Sequence, residues 1–433
     1  MSNSRTPPPT FPPHLNPQIL DRRPSATLTI NERSTRLAQA GRKIYRFGFG
    51  QSPFPVPAPV IVALQANAAQ KDYLPVRGLP ALREAVADFH RRRDGLTATS
   101  DDVLIGPGSK ELMFLAQLAY HAELVVPTPA WVSYAPQAEI LGLPVQWLPT
   151  RKEDGWRLQP EVLAAHCQAN PHQAHLLILN YPSNPTGLTL RADELQALAE
   201  VARQYRVVVL SDEIYGELHH TGAHISLARY YPEGTIISSG LSKWCGAGGW
   251  RLGTFVIPPS LDWLREAIAV VASETFSTVS APIQHAAVTA FAGGAEIEHY
   301  LFQARRIIRA LGSWISRQLQ AAGVDVAAPE GGFYLFPDFT PQQAVLRAKG
   351  IENSLDFCER LLEETGVVLL PGTDFGRTSA ELTCRLAYVD FDGARTLAAA
   401  EAIPDQEELS ERWLREYCGS VLIGVETLCE WLR

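Results

Sequence analysis

The run RVVVLSDEIY, from Arg206 to Tyr215, sets four aliphatic residues ahead of a serine, two acids and a tyrosine. Val207 to Leu210 show no apolar–polar alternation and are rich in β-branched side chains, so the segment reads as a strand covered on both faces. Such strands belong to parallel sheets sandwiched between helices. The polar residues that follow then stand at the carboxyl end of the strand, where open parallel sheets bind their ligands.

The same pattern recurs on either side. DVLIG (102–106), ELVVP (123–127), HLLILN (175–180) and GTIISSG (234–240) are further strand-like runs, and the helical patterns ELMFLAQLAY and ADELQALAEVARQY separate several of them. DVLIG runs into GPGSKEL, ELVVP into TPAWVSY, HLLILN into YPSNPTG, and GTIISSG into LSKW. Five strand ends thus deliver Ser109, Trp131, Asn184, Asp212, Tyr215 and Lys243 to one rim. Singly, each has an ordinary explanation: Ser109 and Asp212 as helix caps, Trp131 and Tyr215 as packed aromatics, Asn184 as a turn former, Lys243 as a solvated lysine. Their coincidence on one edge of one sheet is what points to a site.

A length of 433 residues exceeds one ordinary core and suggests two or three domains, and 46% hydrophobic with 19% charged residues marks a folded chain. The net charge of −8 argues against a nucleic-acid binder. The most basic stretch, HRRRD (90–94), reads as cations on a helix C-terminus. The six cysteines show no CxxC pair, which favours free thiols, and no apolar run reaches the ~18 residues that span a membrane. With no signal-like pattern at the N-terminal stretch, the expected location is the cytoplasm. After about Ala290 the pattern changes to long amphipathic helices such as EHYLFQARRIIRALGSWISRQLQAA, with strand-like pieces at GGFYLFPDF, GVVLLPG and LTCRLAYVD. The run from Leu409 to Arg433 reads as helical, with no function attached.

GPGSK lacks the P-loop spacing, and no dinucleotide fingerprint follows the first strand. What remains is a glycine turn whose Gly108, Ser109 and Lys110 amides are placed to meet an anion at a helix N-terminus, with Arg251 of GGWRLG able to add a bidentate contact. That implies a phosphorylated cofactor smaller than a dinucleotide. His219, His220 and His224 in ELHHTGAH have a spacing that suits zinc, but no cysteine or carboxylate set completes a site there, so no metal is expected.

With these motifs in order, the chain resembles the pyridoxal-phosphate enzymes of the aspartate aminotransferase superfamily (fold type I, class I/II). The markers are RPSATLTINERSTRLAQAG, FGFGQSPFPVP, DYLPVRGLPALREAVADF, GPGSKELMF, NYPSNPTG, SDEIYGEL and LSKWCGAGGWRLG, spread from about Arg23 to Asp392. The resemblance implies a three-layer α/β/α fold: a large domain over 51–295 with a mostly parallel, seven-stranded sheet, a smaller α/β domain from 21–50 plus 296–433, and a proline-rich arm over 1–20. It also implies roles. Lys243 matches the lysine that bonds to the cofactor's aldehyde and moves the substrate's proton, Asp212 the partner of the pyridine nitrogen, Asn184 and Tyr215 the donors to the phenolic oxygen, and Trp131 the stacking ring. Ser242, Arg251 and the Gly108–Lys110 amides would hold the phosphate, joined by Tyr73 from a second subunit in a homodimer with shared sites. Arg385, with Asn184 and the backbone at Gly50, would take the substrate carboxylate, and Lys110 a distal one. Two positions depart from the family pattern: Gln51 where an acid is usual, and Gly240 where serine or alanine is common.

The activity implied is ping-pong transfer of an amino group between an amino acid and a 2-oxo acid, of aspartate or aromatic type. A C–S β-lyase on the same fold would use the same Lys243, Asp212 and Arg385. A regulator on this fold would need a DNA-binding region, for which the short proline-rich stretch offers no room.

Overall fold

The computed structural model describes residues 14–20 and 24–433. Of the expected N-terminal arm, residues 1–13 lie outside the described residues, and Pro17–Ile19 form one 3-10 turn.

The strands in chain order are β1 (Tyr45–Arg46), β2 (Val103–Gly106), β3 (Glu123–Pro127), β4 (Val145–Leu148), β5 (His175–Asn180), β6 (Val208–Asp212), β7 (Thr235–Gly240), β8 (Gly253–Val256), β9 (Tyr334–Leu335), β10 (Val367–Val368), β11 (Leu370–Pro371) and β12 (Cys384–Ala387). Seven of them form one sheet in the order β2-β8-β7-β6-β5-β3-β4. All run parallel except β8, which is antiparallel to both β2 and β7.

The apolar runs explain the layering. Leu176, Ile178, Val208 and Leu210 pack on one face with the helices Ser109–Ala119 and Asp262–Thr275, while Leu177, Leu179, Val207 and Val209 pack on the other with Pro160–Ala169 and Ala192–Tyr205. Neighbouring residues therefore serve opposite cores, which is why these strands read as continuous hydrophobic stretches. The seven-stranded, mostly parallel sheet expected from sequence is present.

A second set of elements follows. β11, β12 and β9 make a three-stranded antiparallel sheet, and β1 pairs parallel with β10. The helix Ala295–Ala321 buries one stripe, including Leu301, Ile308, Leu311 and Ile315. The C-terminal run is two helices, Glu411–Tyr417 and Gly419–Trp431, and the second buries Val421, Leu422, Val425 and Leu428. Gly424 lies where a Cβ would stand 2.6 Å from the Phe47 ring, so this helix packs directly behind the segment that follows β1.

The basic stretch behaves as a helix end. Pro80–Asp94 stops at Gly95 in the left-handed conformation, and Arg91, Arg92 and Arg93 pair with Glu84, Asp88, Glu217 and Glu298. All six cysteines are free and buried.

Candidate active site

The carboxyl ends of the parallel strands open into a cavity of about 560 Å3. β2 ends at Gly106 and turns through Gly108 into the helix Ser109–Ala119, so Ser109 and Lys110 stand at a helix N-terminus facing the cavity. Gly108 adopts φ 94°, and a Cβ there would lie 2.1 Å from Arg251 Nη2. The Gly108 N–H bonds the Gly106 carbonyl at 2.8 Å. That amide is engaged within the turn, so Gly108 supplies room for the guanidinium rather than the donor expected of it.

β7 and β8 form a hairpin closed by the pair Gly240 and Gly253, and the loop between them carries Ser242, Lys243 and Arg251. A Cβ at Gly240 would stand 2.6 Å from the Leu252 carbonyl oxygen, which explains why serine or alanine is absent there. Arg251 takes φ 55°, a conformation non-glycine residues seldom adopt, while its Nη1 donates to Gly248 O at 2.9 Å.

Lys243 is half-buried and lines the cavity, and its Nζ donates to the Gly50 carbonyl at 2.7 Å. Burial, with the positive charge of Arg385 next, lowers its pKa from 10.5 to about 8. Asp212 ends β6 beside Asn180 at the end of β5. Its Oδ2 accepts from Tyr134 Oη at 2.5 Å, and its own carbonyl accepts from Asn180 Nδ2 at 2.8 Å. Burial raises the Asp212 pKa to about 6 against the opposing pull of the Tyr134 hydrogen bond and the Lys243 charge. Among the described residues no cation directly contacts the buried carboxylate, an arrangement that favours a positively charged group placed against it.

Arg385, on β12, is 1% exposed. Its Nη1 donates to Asn184 Oδ1 at 3.1 Å and its Nη2 to Gly48 O at 2.6 Å, whereas its buried Nε has no partner among the described residues. Burial pulls its pKa down, and the nearby Tyr334 and Tyr215 oppose this. Asn184 is fixed by its own N–H, which donates to Asn180 Oδ1 at 2.7 Å. Tyr215 Oη meets Tyr334 Oη at 2.7 Å, and burial holds the Tyr215 phenol protonated well above its usual range.

Trp131 lines the wall, edge-on to Tyr134, and Lys110 Nζ lies 5.0 Å from the Trp131 ring centre. Burial and the Arg251 charge lower the Lys110 pKa. Gly50 and Gln51 also line the cavity. The structure therefore brings together Gly50, Ser109, Lys110, Trp131, Asn184, Asp212, Tyr215, Ser242, Lys243, Arg251 and Arg385, with Gly108 packed behind. Tyr73 is apart from them: it is 90% exposed and does not line the cavity of its own chain.

Sequence reasoning assigned no role to Tyr134, Asn180, Tyr334, Ser25 or Thr27, all of which line the cavity. Asn180 was findable as the polar last residue of an apolar strand. Tyr334 arrives from a two-residue strand, and Ser25 and Thr27 from the start of the helix Ala26–Gln39, with no local signal for any of them.

The histidines of ELHHTGAH do not converge. Burial lowers the pKa of His219 and His220 to about 4, His220 Nε2 meets Gly332 O at 3.0 Å, and His224 pairs with Glu213 at 2.8 Å.

Comparison with known proteins agrees with this geometry. Residues 42–402 match the family model of aminotransferase class I and II. An aspartate aminotransferase of Geobacillus stearothermophilus is 33% identical over 374 residues, 84% of this chain and 92% of that protein. An asparagine–oxo-acid transaminase of Streptococcus mutans is 30% identical over 385 residues, 86% of this chain and 94% of that protein. The solved aspartate aminotransferase of Thermus thermophilus with maleate superposes with a TM-score of 0.82 at 27% identity, covering 97% of this chain and 100% of that one. The chain belongs to the class I and II aminotransferases and is a transaminase.

Proposed function

We propose that this transaminase uses pyridoxal phosphate and moves the amino group of a dicarboxylic amino acid, aspartate foremost, to a 2-oxo acid. The observation that carries the reading is the placement of Lys243, an amine with a pKa near 8, in one cavity with the buried Asp212 carboxylate and the half-satisfied Arg385 guanidinium.

The residues present fit that cofactor. At one end of the cavity are Arg251, Ser242 and a helix N-terminus, with Gly108 leaving the guanidinium its space, a donor set for a phosphate. Deeper in are Asp212, suited to a protonated ring nitrogen, and Tyr215, suited to a phenolic oxygen. When bound, pyridoxal phosphate supplies the aldehyde that takes up the amino group and the electron-poor ring that accepts charge from the α-carbon.

Each side chain then has a task. Asp212 keeps a proton on the ring nitrogen, and Tyr134 holds that carboxylate in place. Lys243, poised near neutrality, carries the α-proton on Nζ. Arg385, whose guanidinium lines the cavity with Asn184 oriented against it, binds the α-carboxylate. Trp131 lines the cavity wall, where its ring would cover the cofactor and exclude water. With Arg251 assigned to the phosphate and Arg385 to the α-carboxylate, Lys110 is left for a second carboxylate at the mouth. The Thermus thermophilus relative solved with the dicarboxylate maleate supports a dicarboxylic substrate.

The domain reading belongs to this proposal: 51–295 binds the cofactor, while 21–50 with 296–433 forms the smaller domain, supported by the separate sheets at 103–256 and 334–387. The exposure of Tyr73 supports a homodimer in which it completes the phosphate site of a second copy.

A donor screen against 2-oxoglutarate tests the function. Aspartate is expected to give the highest kcat/KM, and a Lys110→Ala variant to lose the preference for dicarboxylic over neutral donors. Pyruvate and ammonia released from cystathionine without any 2-oxo acid would favour the lyase instead.

A further inference from the structure

At the edge of the large sheet opposite the cavity, Glu123, His166 and His175 meet. Glu123 and His175 are the first residues of β3 and β5 and face each other as partners in the parallel ladder. His166 reaches them from the last turn of the helix Pro160–Ala169. Glu123 Oε2 lies 2.8 Å from His166 Nε2 and 3.0 Å from His175 Nδ1, and the three ligand atoms all fall within 4.8 Å of one another. The side chains are 15%, 11% and 3% exposed for Glu123, His166 and His175, so the group is sunk below the surface with one side still open.

A hydrogen-bonded cluster alone would need one N–H from each ring directed at a single oxygen. The same convergence is also a donor set for a borderline divalent cation: two imidazole nitrogens and a carboxylate oxygen. In a tetrahedral zinc site with bonds of about 2.0–2.1 Å, adjacent donors stand about 3.3 Å apart, so the two contacts of Glu123 Oε2, at 2.8 and 3.0 Å, need to lengthen by only a few tenths of an ångström, and the two ring nitrogens already lie within 4.8 Å of each other. The rings meet edge to face at 62°, with centroids 5.1 Å apart, and do not block each other. Asn170 Nδ2 stands 3.5 Å from His166 Nδ1 and donates to the His166 carbonyl at 3.0 Å, which ties down the end of the helix that carries His166. Two ligands sit on paired strands and the third on a packed helix, so little chain ordering opposes binding.

We propose that Glu123, His166 and His175 form a binding site for a divalent transition metal of the zinc type, with water in the fourth position, that ties the helix Pro160–Ala169 to the amino-terminal edges of β3 and β5. The site is remote from the cofactor cavity and takes no part in the reaction.

The test uses the holoenzyme, freed of metal by a chelator and titrated with zinc by calorimetry. One zinc per chain at micromolar or tighter affinity is expected, together with a higher melting temperature. His166→Gln and Glu123→Gln should each bind at least tenfold more weakly while keeping the far-UV circular dichroism and transaminase turnover of the parent. Cobalt(II) provides a second measurement on the unaltered protein, with tetrahedral visible bands expected at one equivalent. Absence of binding and of those bands, or zinc binding of unchanged strength in both variants, would overturn the proposal.

Discussion

Lys243 is held in a state that opposes folding. Its pKa falls from 10.5 to about 8, so below pH 8 the folded chain must carry a disfavoured ammonium. Lys243→Met is expected to abolish turnover of the cofactor-loaded enzyme, yet in cofactor-free protein to stabilise the fold by about 1–3 kcal/mol at pH 7, judging from a shift of this size. Between about pH 8 and 10.5 the unfolded chain binds more protons than the folded one, so the parent gains stability there and the advantage of the variant shrinks. Urea denaturation of both cofactor-free proteins at pH 7 and pH 10 checks this, and an advantage unchanged by pH would refute it. At this scale the sequence was most legible where a polar residue ends an apolar run, as at Asp212, and least where the contact is distant: Tyr334 meets Tyr215 across 119 residues.

Among the elements, five strands could be read because their aliphatic runs face cores on both sides. Two others were hidden. β4 is half-buried along most of its length and carries Gln146, so it lacks the continuous apolar run. β8, GTFV, follows directly on the glycine-rich loop, and its antiparallel direction has no sequence signature. The two-residue strands β9, β10 and β11 fall within the strand-like runs GGFYLFPDF and GVVLLPG, whereas β1 is set by its pairing with β10 and shows no such run. The β7–β8 hairpin also accounts for the departure at Gly240. Its missing Cβ would press on backbone, the Leu252 oxygen at 2.6 Å and Gly253 Cα at 2.9 Å, which cannot swing aside as a side chain does. Gly240→Ser should therefore cost about 1–3 kcal/mol and lower Tm, although serine is common at this position in the family. A Tm equal to the parent's would show that the hairpin absorbs the added atoms.

For the whole molecule, the cavity is a meeting of distant pieces: the carboxyl edge of the sheet, the segment after β1, and residues from β9 and β12. The C-terminal helix Gly419–Trp431, unreadable as to purpose in the sequence, backs this meeting by packing behind Phe47, one residue before the Gly48 carbonyl that receives Arg385. The two cations that grip opposite ends of the proposed cofactor depend on something more rigid. Lys243 comes three residues after Gly240 and Arg251 two before Gly253, and those glycines are partners in the sheet ladder. The distance between the grips is consequently fixed by backbone pairing within the large sheet, and fraying of outer helices leaves it intact. In rising urea, the visible absorbance of bound cofactor should fall together with the circular dichroism of the sheet and not before it. The bound chromophore then serves as a built-in gauge of whether the central sheet is still closed.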